Sequence, residues 1–402
     1  MPSEFAHHWT LDPTVTFLNH GSYGAAPREV LAVQQAWRDR IEAEPVRFFS
    51  ELEAELDEAR GALGAFVEAD PDDLAFVLNA TAGTNAVLRS LRFRAGDELL
   101  TTDHAYNAVK NAMEYVAERD GARVVIAPVP FPIDAPDQVV AAVLAAIRPR
   151  TRLAVLDHIT SATALIFPIR QLTDELAQRG IDTLVDGAHA PGQVPLNVEE
   201  VGATYYVANL HKWVCAPKGA GFLWVRRDRQ VEIRPLAISH GANSPRADRS
   251  RFRVEFDWTG TADPSAYLAV PSAISFGAQL LPGGWEALRE RNHALVMAAR
   301  LLLCAAAGIA APAPEAMIGT MASIPLPAQG GGGKVQGVEL YGDPVHAHLL
   351  AHGIQAMVTP WPQRPNGGPW RRLVRISAAA YNDLGQYKSL AAVMPGAIAV
   401  AS

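Results

Sequence analysis

Between residues 74 and 225 short apolar runs alternate with amphipathic stretches, and this alternation restricts the fold more than any other feature. Residues 74–78, 99–102, 124–126, 153–156, 183–185, 204–207 and 221–225 each read as a buried strand. Helical spacing lies between several of them, at Val87, Leu88 and Leu91, at Val109, Met113 and Val116, and over residues 137–147. The pattern predicts an α/β fold: a mostly parallel sheet sandwiched by helices. In such sheets ligands sit beyond the carboxyl ends of the strands. Thr81, His104, Ser161, Asp186 and Lys212 each follow a predicted strand, so they are expected to converge on one site.

Lys212 lies in a run, residues 208–219, between two of these strands. Burial disfavours an ammonium and frees the amine to attack a carbonyl, such as the aldehyde of pyridoxal 5'-phosphate. Read alone, a loop lysine held by a nearby carboxylate fits equally well. Upstream, a predicted strand ends in Asp186-Gly187-Ala188-His189. A carboxylate there can keep a pyridine nitrogen protonated and make the ring an electron sink. Acids at strand ends also cap helices.

Asn79 to Asn85, rich in small residues, opens a predicted helix. Free N–H groups and hydroxyls at a helix start suit an anion, so this is a candidate phosphate cup, although an ordinary capped start reads the same. It is not a Walker loop, because no Gly-Lys-Ser/Thr follows. Near the C-terminal end, Arg372 and Arg375 point to opposite faces of a predicted strand. The apolar neighbours favour Arg375 as the inward one, where its fork would suit a carboxylate or a structural ion pair.

The segments Asn19-His20-Gly21-Ser22-Tyr23-Gly24, Asn79 to Asn85, Asp103 to Tyr106, His158 to Ser161, Asp186 to His189, His211-Lys212, Gly260-Thr261 and Arg375-Ile376-Ser377 occur in this order along nearly the whole chain. Together they resemble the class V aminotransferase group of fold-type I pyridoxal-phosphate enzymes, and within it the isopenicillin N epimerase-like branch. The resemblance implies pyridoxal 5'-phosphate as cofactor, with Lys212 as the attaching lysine and Asp186 at the ring nitrogen. It puts the phosphate on Thr81, Ala82, His211 and Thr261 of the partner subunit, across a homodimer with composite sites. It sets His189 and Ser161 near the ring oxygen or substrate. An aromatic group at the position of His104 would stack on the ring, with Tyr106 in reach of the same face. Asn19 and Arg375 would bind the substrate. The fold implied is a large cofactor domain, residues 25–264, a smaller α+β domain, residues 265–402, and a segment over the active site, residues 1–24.

The chain order adds detail. Helices are expected from Pro27, with a break at Pro45, and the acid-rich face from Glu51 to Arg60 reads as solvated. One long helix, about residues 265–306, should link the domains. Short strands are expected near 318–324, 335–340 and 373–376, and helices near 344–351 and 385–393. With a net charge of −7 and no basic block, no nucleic-acid partner is indicated. The first eight residues lack a basic and apolar leader, and the apolar stretch 294–313 is broken by Arg300, Gly308 and Pro312, so a cytoplasmic protein without a membrane span is expected. His7 and His8 read as exposed, and no metal site is expected.

The chemistry after proton removal stays open. Epimerisation needs a second acid, for which Tyr106, His104 or His240 could serve. β-Elimination, as in a C–S lyase, needs an acid for the leaving group, and transamination needs proton return to the cofactor. Persulfide chemistry requires a thiolate on a mobile loop. Residues 325–333 contain no cysteine, and Cys215 and Cys304 sit in packing contexts. The first expectation is therefore an epimerase-like enzyme acting at Cα of an α-amino acid. A C–S lyase or aminotransferase stands second, and a cofactor-binding protein without turnover third.

Overall fold

A computed structural model describes residues 3–327, 342–362 and 370–401. The expected strand at 335–340 lies outside them, as does the glycine-rich run at 330–333.

The strands, in chain order, begin with β1 (Thr16–Phe17), β2 (Leu74–Val77), β3 (Glu98–Thr102), β4 (Arg123–Ala127), β5 (Thr151–Asp157) and β6 (Asp182–Asp186). They continue with β7 (Tyr205–Asn209), β8 (Gly221–Val225), β9 (Met321–Pro325), β10 (Ile354–Gln355), β11 (Met357–Trp361) and β12 (Arg371–Ser377). Seven of them form the main sheet in the order β2-β8-β7-β6-β5-β3-β4. All neighbouring pairs from β7 to β4 are parallel, and β8 runs antiparallel to both β7 and β2. Strand β2 therefore runs the same way as β7. The loops after β2, β3, β5, β6 and β7 accordingly open on one edge.

The central strands are buried along almost their whole length, as expected of a sheet covered on both faces. One apolar cluster fills the face toward the helix Pro45–Val67, and a second packs under the helices Ala80–Ser90 and Asn107–Asp120.

A second, antiparallel sheet, β11-β12-β9, carries the C-terminal part. Strand β12 is its middle strand and holds Arg375. The N-terminal segment joins this part, since β1 pairs with β10 and the Gly21 N–H donates to Ser377 Oγ. The same segment also touches the lysine loop. His20 Nε2 bonds the Lys212 carbonyl at 2.8 Å, and Lys218 Nζ donates to the Gly24 carbonyl at 3.1 Å. A side chain at Gly24 (φ +67°) would run into the His211 carbonyl, so glycine is required for this close approach.

Three expectations are corrected. The long helix after residue 265 is three helices, Ser265–Leu268, Val270–Gln279 and Gly284–Ala307, the last two separated where Gly283 and Gly284 take positive φ. Arg60 is buried, not solvated. It pairs with Asp57 and Asp257 beside Arg253, within a network tying the helix Pro45–Val67 to the helix Arg251–Asp257. Strands β10 and β11 had no counterpart in the expected elements.

Candidate active site

At the carboxyl edge of the main sheet lies an open cavity with about 1060 Å³ of empty space, counting its mouth. Its wall includes Asn19, Thr81, Tyr106, Ser161, Asp186, His189, His211 and Lys212. Apart from Asn19, which comes from the N-terminal segment, these residues meet because each ends or follows a main-sheet strand of like direction.

Lys212 follows β7 and is enclosed. Burial, with the Arg375 charge second, lowers its ammonium to about 7, only partly offset by Asp186. Its Nζ stands 3.2 Å from His189 Nε2. Burial holds that imidazole well below its usual range, so it is neutral. The Trp213 indole N–H donates to His189 Nδ1 at 3.4 Å. A neutral ring that accepts at Nδ1 carries its proton at Nε2, and so donates to the uncharged amine. This arrangement keeps Lys212 in its nucleophilic form.

Asp186 ends β6 inside the same wall, and its Oδ1 accepts the Ala188 N–H at 3.0 Å. Arg375 is fully buried on β12. Its fork donates to the Ser161 carbonyl (2.7 Å), Ser161 Oγ (3.2 Å), Asn19 Oδ1 (3.2 Å) and Ser22 Oγ (2.8 Å). All four acceptors are neutral, and no carboxylate lies within ion-pair distance among the described residues. Burial depresses this guanidinium to about 10. Arg372 instead pairs with Asp343 at 2.7 Å, which settles the two arginines: Arg372 is the structural one.

The phosphate cup is narrower than expected. The Ala80 N–H donates to Asn209 Oδ1 and the Ala82 N–H to Asn79 Oδ1, so Ala82 spends its amide on the helix cap and does not line the cavity. The Thr81 amide and hydroxyl remain as donors on that turn. His211 adjoins them, its Nδ1 near the Ala220 carbonyl at 3.2 Å.

His104 is corrected outright. It is fully buried behind the wall, with Nδ1 on Thr163 Oγ1 (2.7 Å) and Nε2 on the Val129 carbonyl (3.0 Å). Phe131, Phe167 and Trp361 surround its ring. Tyr106, two residues on, does reach the cavity. His240 lines a separate cleft with Phe49 and Trp258. Thr261 sits on an exposed turn away from the cavity. Residues not singled out from the sequence also reach the wall: Tyr23, Asp157, His346, Met357 and Val358.

A family model for aminotransferase class-V matches residues 20–326. The chain belongs to the class-V aminotransferase family. It is 35% identical over 400 residues to an isopenicillin N epimerase of Amycolatopsis lactamdurans, covering 95% of both chains. It is 33% identical over 417 residues to a putative L-cysteine desulfhydrase 2 of Oryza sativa subsp. japonica, covering 96% of this chain and 85% of that one. In fold it is similar to a cysteine desulfurase from Thermococcus onnurineus NA1, with a TM-score of 0.78, 19% identity and 99% of each chain covered. The enzyme's cofactor is pyridoxal phosphate, and the residues present fit it: a near-neutral buried amine, a buried carboxylate and open donors at a helix start share one wall. Among the described residues no helix is long and apolar enough to cross a membrane.

Proposed function

We propose that this class-V enzyme withdraws and returns the Cα proton of an α-amino acid, or of the amino-acid end of a larger molecule, as an epimerase does. Arg375 carries the reading. An enclosed guanidinium without an anionic partner is costly, and a substrate α-carboxylate is the partner its fork suits. Lys212 and Tyr106, two groups on the wall able to carry the Cα proton, both feel its charge. Bound pyridoxal phosphate supplies the electron sink that acidifies Cα. Thr81 and His211 would hold its phosphate, Asp186 would face its ring nitrogen, and Ser161 and His189 would border the ring. Neutral Lys212 takes the proton from Cα. The Tyr106 hydroxyl, able to donate and accept, returns one. His104 and His240 are not on the cavity and are set aside for that role. Both cysteines are free, and burial pushes the Cys215 thiol up to about 12, so neither suits persulfide chemistry. Free thiols also accord with our assignment to the cytoplasm.

The name borne by the rice relative supports a second reading, elimination of sulfide from cysteine, in which Tyr106 would protonate the leaving group. Incubation with amino acids in heavy water separates the two. Deuterium at Cα with inverted configuration supports epimerisation. Sulfide and pyruvate from cysteine support elimination. A protein that binds the cofactor yet neither exchanges a Cα proton nor releases sulfide and pyruvate from cysteine sinks both.

Two further outcomes are expected. Arg375→Lys keeps the charge and loses the fork, so KM for an amino acid should rise about tenfold, from loss of a charge-assisted hydrogen bond. Arg375→Ala should raise it about a hundredfold, while the corresponding decarboxylated amine, already a poor substrate, should barely change. An amine that reacts as well as its amino acid on the unaltered enzyme would remove the carboxylate role. We also propose a homodimer in which the exposed Thr261 turn completes the partner's phosphate site. Sedimentation at assay concentration should then find the active species to be a dimer, and a fully active monomer would strike Thr261 from the site.

A further inference from the structure

The site contains a second carboxyl group without an assigned role. Asp157 ends β5 as Asp186 ends β6, and the two are direct partners in the parallel register. Paired positions on adjacent strands put their side chains on the same face. Both line the cavity, and both are more than nine-tenths buried. Two carboxylates side by side in a buried wall cannot both ionise, so the pair holds one proton.

The surroundings decide which keeps it. Asp186 has the Ala188 N–H on Oδ1, which favours its ionised form, and Lys212 adds to this only in the fraction that is protonated near pH 7. Asp157 faces Asp186 from β6, Lys110 from the helix Asn107–Asp120, and the Tyr106 backbone N–H. Tyr206 on β7 is buried and holds its phenol proton, with its hydroxyl 2.8 Å from His158 Nδ1. Asp103, past β3, is turned to the Val129 N–H. Among the described residues Lys110 is the cation that acts on Asp157, and its Nζ also donates to the Asp103 carbonyl at 3.2 Å. Burial and the Asp186 charge outweigh it and push the Asp157 carboxyl well above its usual range.

We propose that Asp157 is a positioning residue that stays protonated at neutral pH and donates its proton in a hydrogen bond to Asp186. The donated bond fixes the direction of the Asp186 carboxylate and lowers its basicity. It thereby keeps Asp186 ionised toward the ring nitrogen. The inference rests on the pyridoxal-phosphate reading of the site for its purpose, though not for the location of the proton.

Asparagine has the shape and charge of a protonated aspartate, which makes the test selective. The wild-type-minus-Asp157→Asn infrared difference spectrum at neutral pH should show loss of a carboxylic-acid C=O stretch and no loss of a carboxylate band. Asp157→Asn should hold pyridoxal phosphate within about threefold of wild type, because an amide still donates. Asp186→Asn should weaken it about tenfold or more, because it removes the charge. Loss of a carboxylate band in Asp157→Asn would overturn the proposal. So would a loss of cofactor affinity as large as that of Asp186→Asn, which would put the proton on Asp186. Asp157→Ser gives the same infrared reading if the asparagine variant does not fold. The infrared result is obtained with and without cofactor, so failure of pyridoxal phosphate to bind would be recognised separately.

Discussion

Lys212→Ala should leave a folded protein that no longer fixes its cofactor under borohydride and that has lost at least four orders of magnitude in turnover, on the scale expected for removing a group that is both nucleophile and proton carrier. The unaltered protein should be yellow, and reduction should place the label on Lys212. The fold should survive because the side chain ends in a cavity, so that its removal enlarges an existing space. A label that persists in Lys212→Ala, or a colourless protein that stays so with added pyridoxal phosphate, would remove the assignment.

The same lysine predicts a pH dependence with a definite sign. Its ammonium loses its proton at about 7, far below a free lysine, chiefly through burial. The amine is the reactive form, so the rate of cofactor attachment to the cofactor-free protein should rise with pH through about 7 and level off above it. An exposed lysine would keep gaining to about 10. His189→Phe removes the N–H that meets the amine while keeping ring bulk, and it should slow attachment at every pH. A profile still rising steeply above pH 9 would show that Lys212 is solvated (an ordinary lysine value is ~10.4).

How much of this was readable in the sequence follows from how local each feature is. The main sheet was legible because strands covered on both faces are continuous apolar runs, and the loops after them share an edge by topology. Thr81, Ser161, Asp186, His189, His211 and Lys212 reach one wall for that reason. His104 and Tyr106 flank a single turn, and which of them faces the cavity depends on the backbone path of that turn. The Thr163 hydroxyl and Val129 carbonyl draw His104 inward, and both come from distant loops. Ala82 was misread because Asn79 can cap either the helix or nothing until its rotamer is known. Arg60 is buried through Asp257, a partner on another helix far along the chain. Pro282-Gly283-Gly284, by contrast, was a legible break in the linking helix, outweighed by the apolar periodicity on both sides. Asp157 drew no notice because its meaning is its cross-strand partner.

That partner makes Asp186→Asn the sharpest remaining test. The amide is nearly isosteric, so folding should be little affected. On the proposed reading, what is lost is a buried negative charge that would face the ring nitrogen, which must stay protonated for the electron sink to work. Burial pushes the Asp186 carboxyl up, and a protonated ring nitrogen facing it would favour its ionised form. Breaking a buried pair of this kind costs about 3–5 kcal/mol, which is roughly two to four orders of magnitude in rate when it acts in the transition state. The loss should fall on kcat and kcat/KM together, because in the proposed site the substrate carboxylate would be held at Arg375 and not at Asp186. A neighbouring carboxyl could in principle take over the charge. If Asp157 keeps its proton, it cannot, and the double variant Asp157→Asn/Asp186→Asn should be no slower than Asp186→Asn alone. Residual turnover in Asp186→Asn that rises with pH and disappears in the double variant would mean that Asp157 ionises and substitutes for Asp186. Activity within about threefold of the unaltered enzyme would mean that no carboxylate is needed at the ring nitrogen at all.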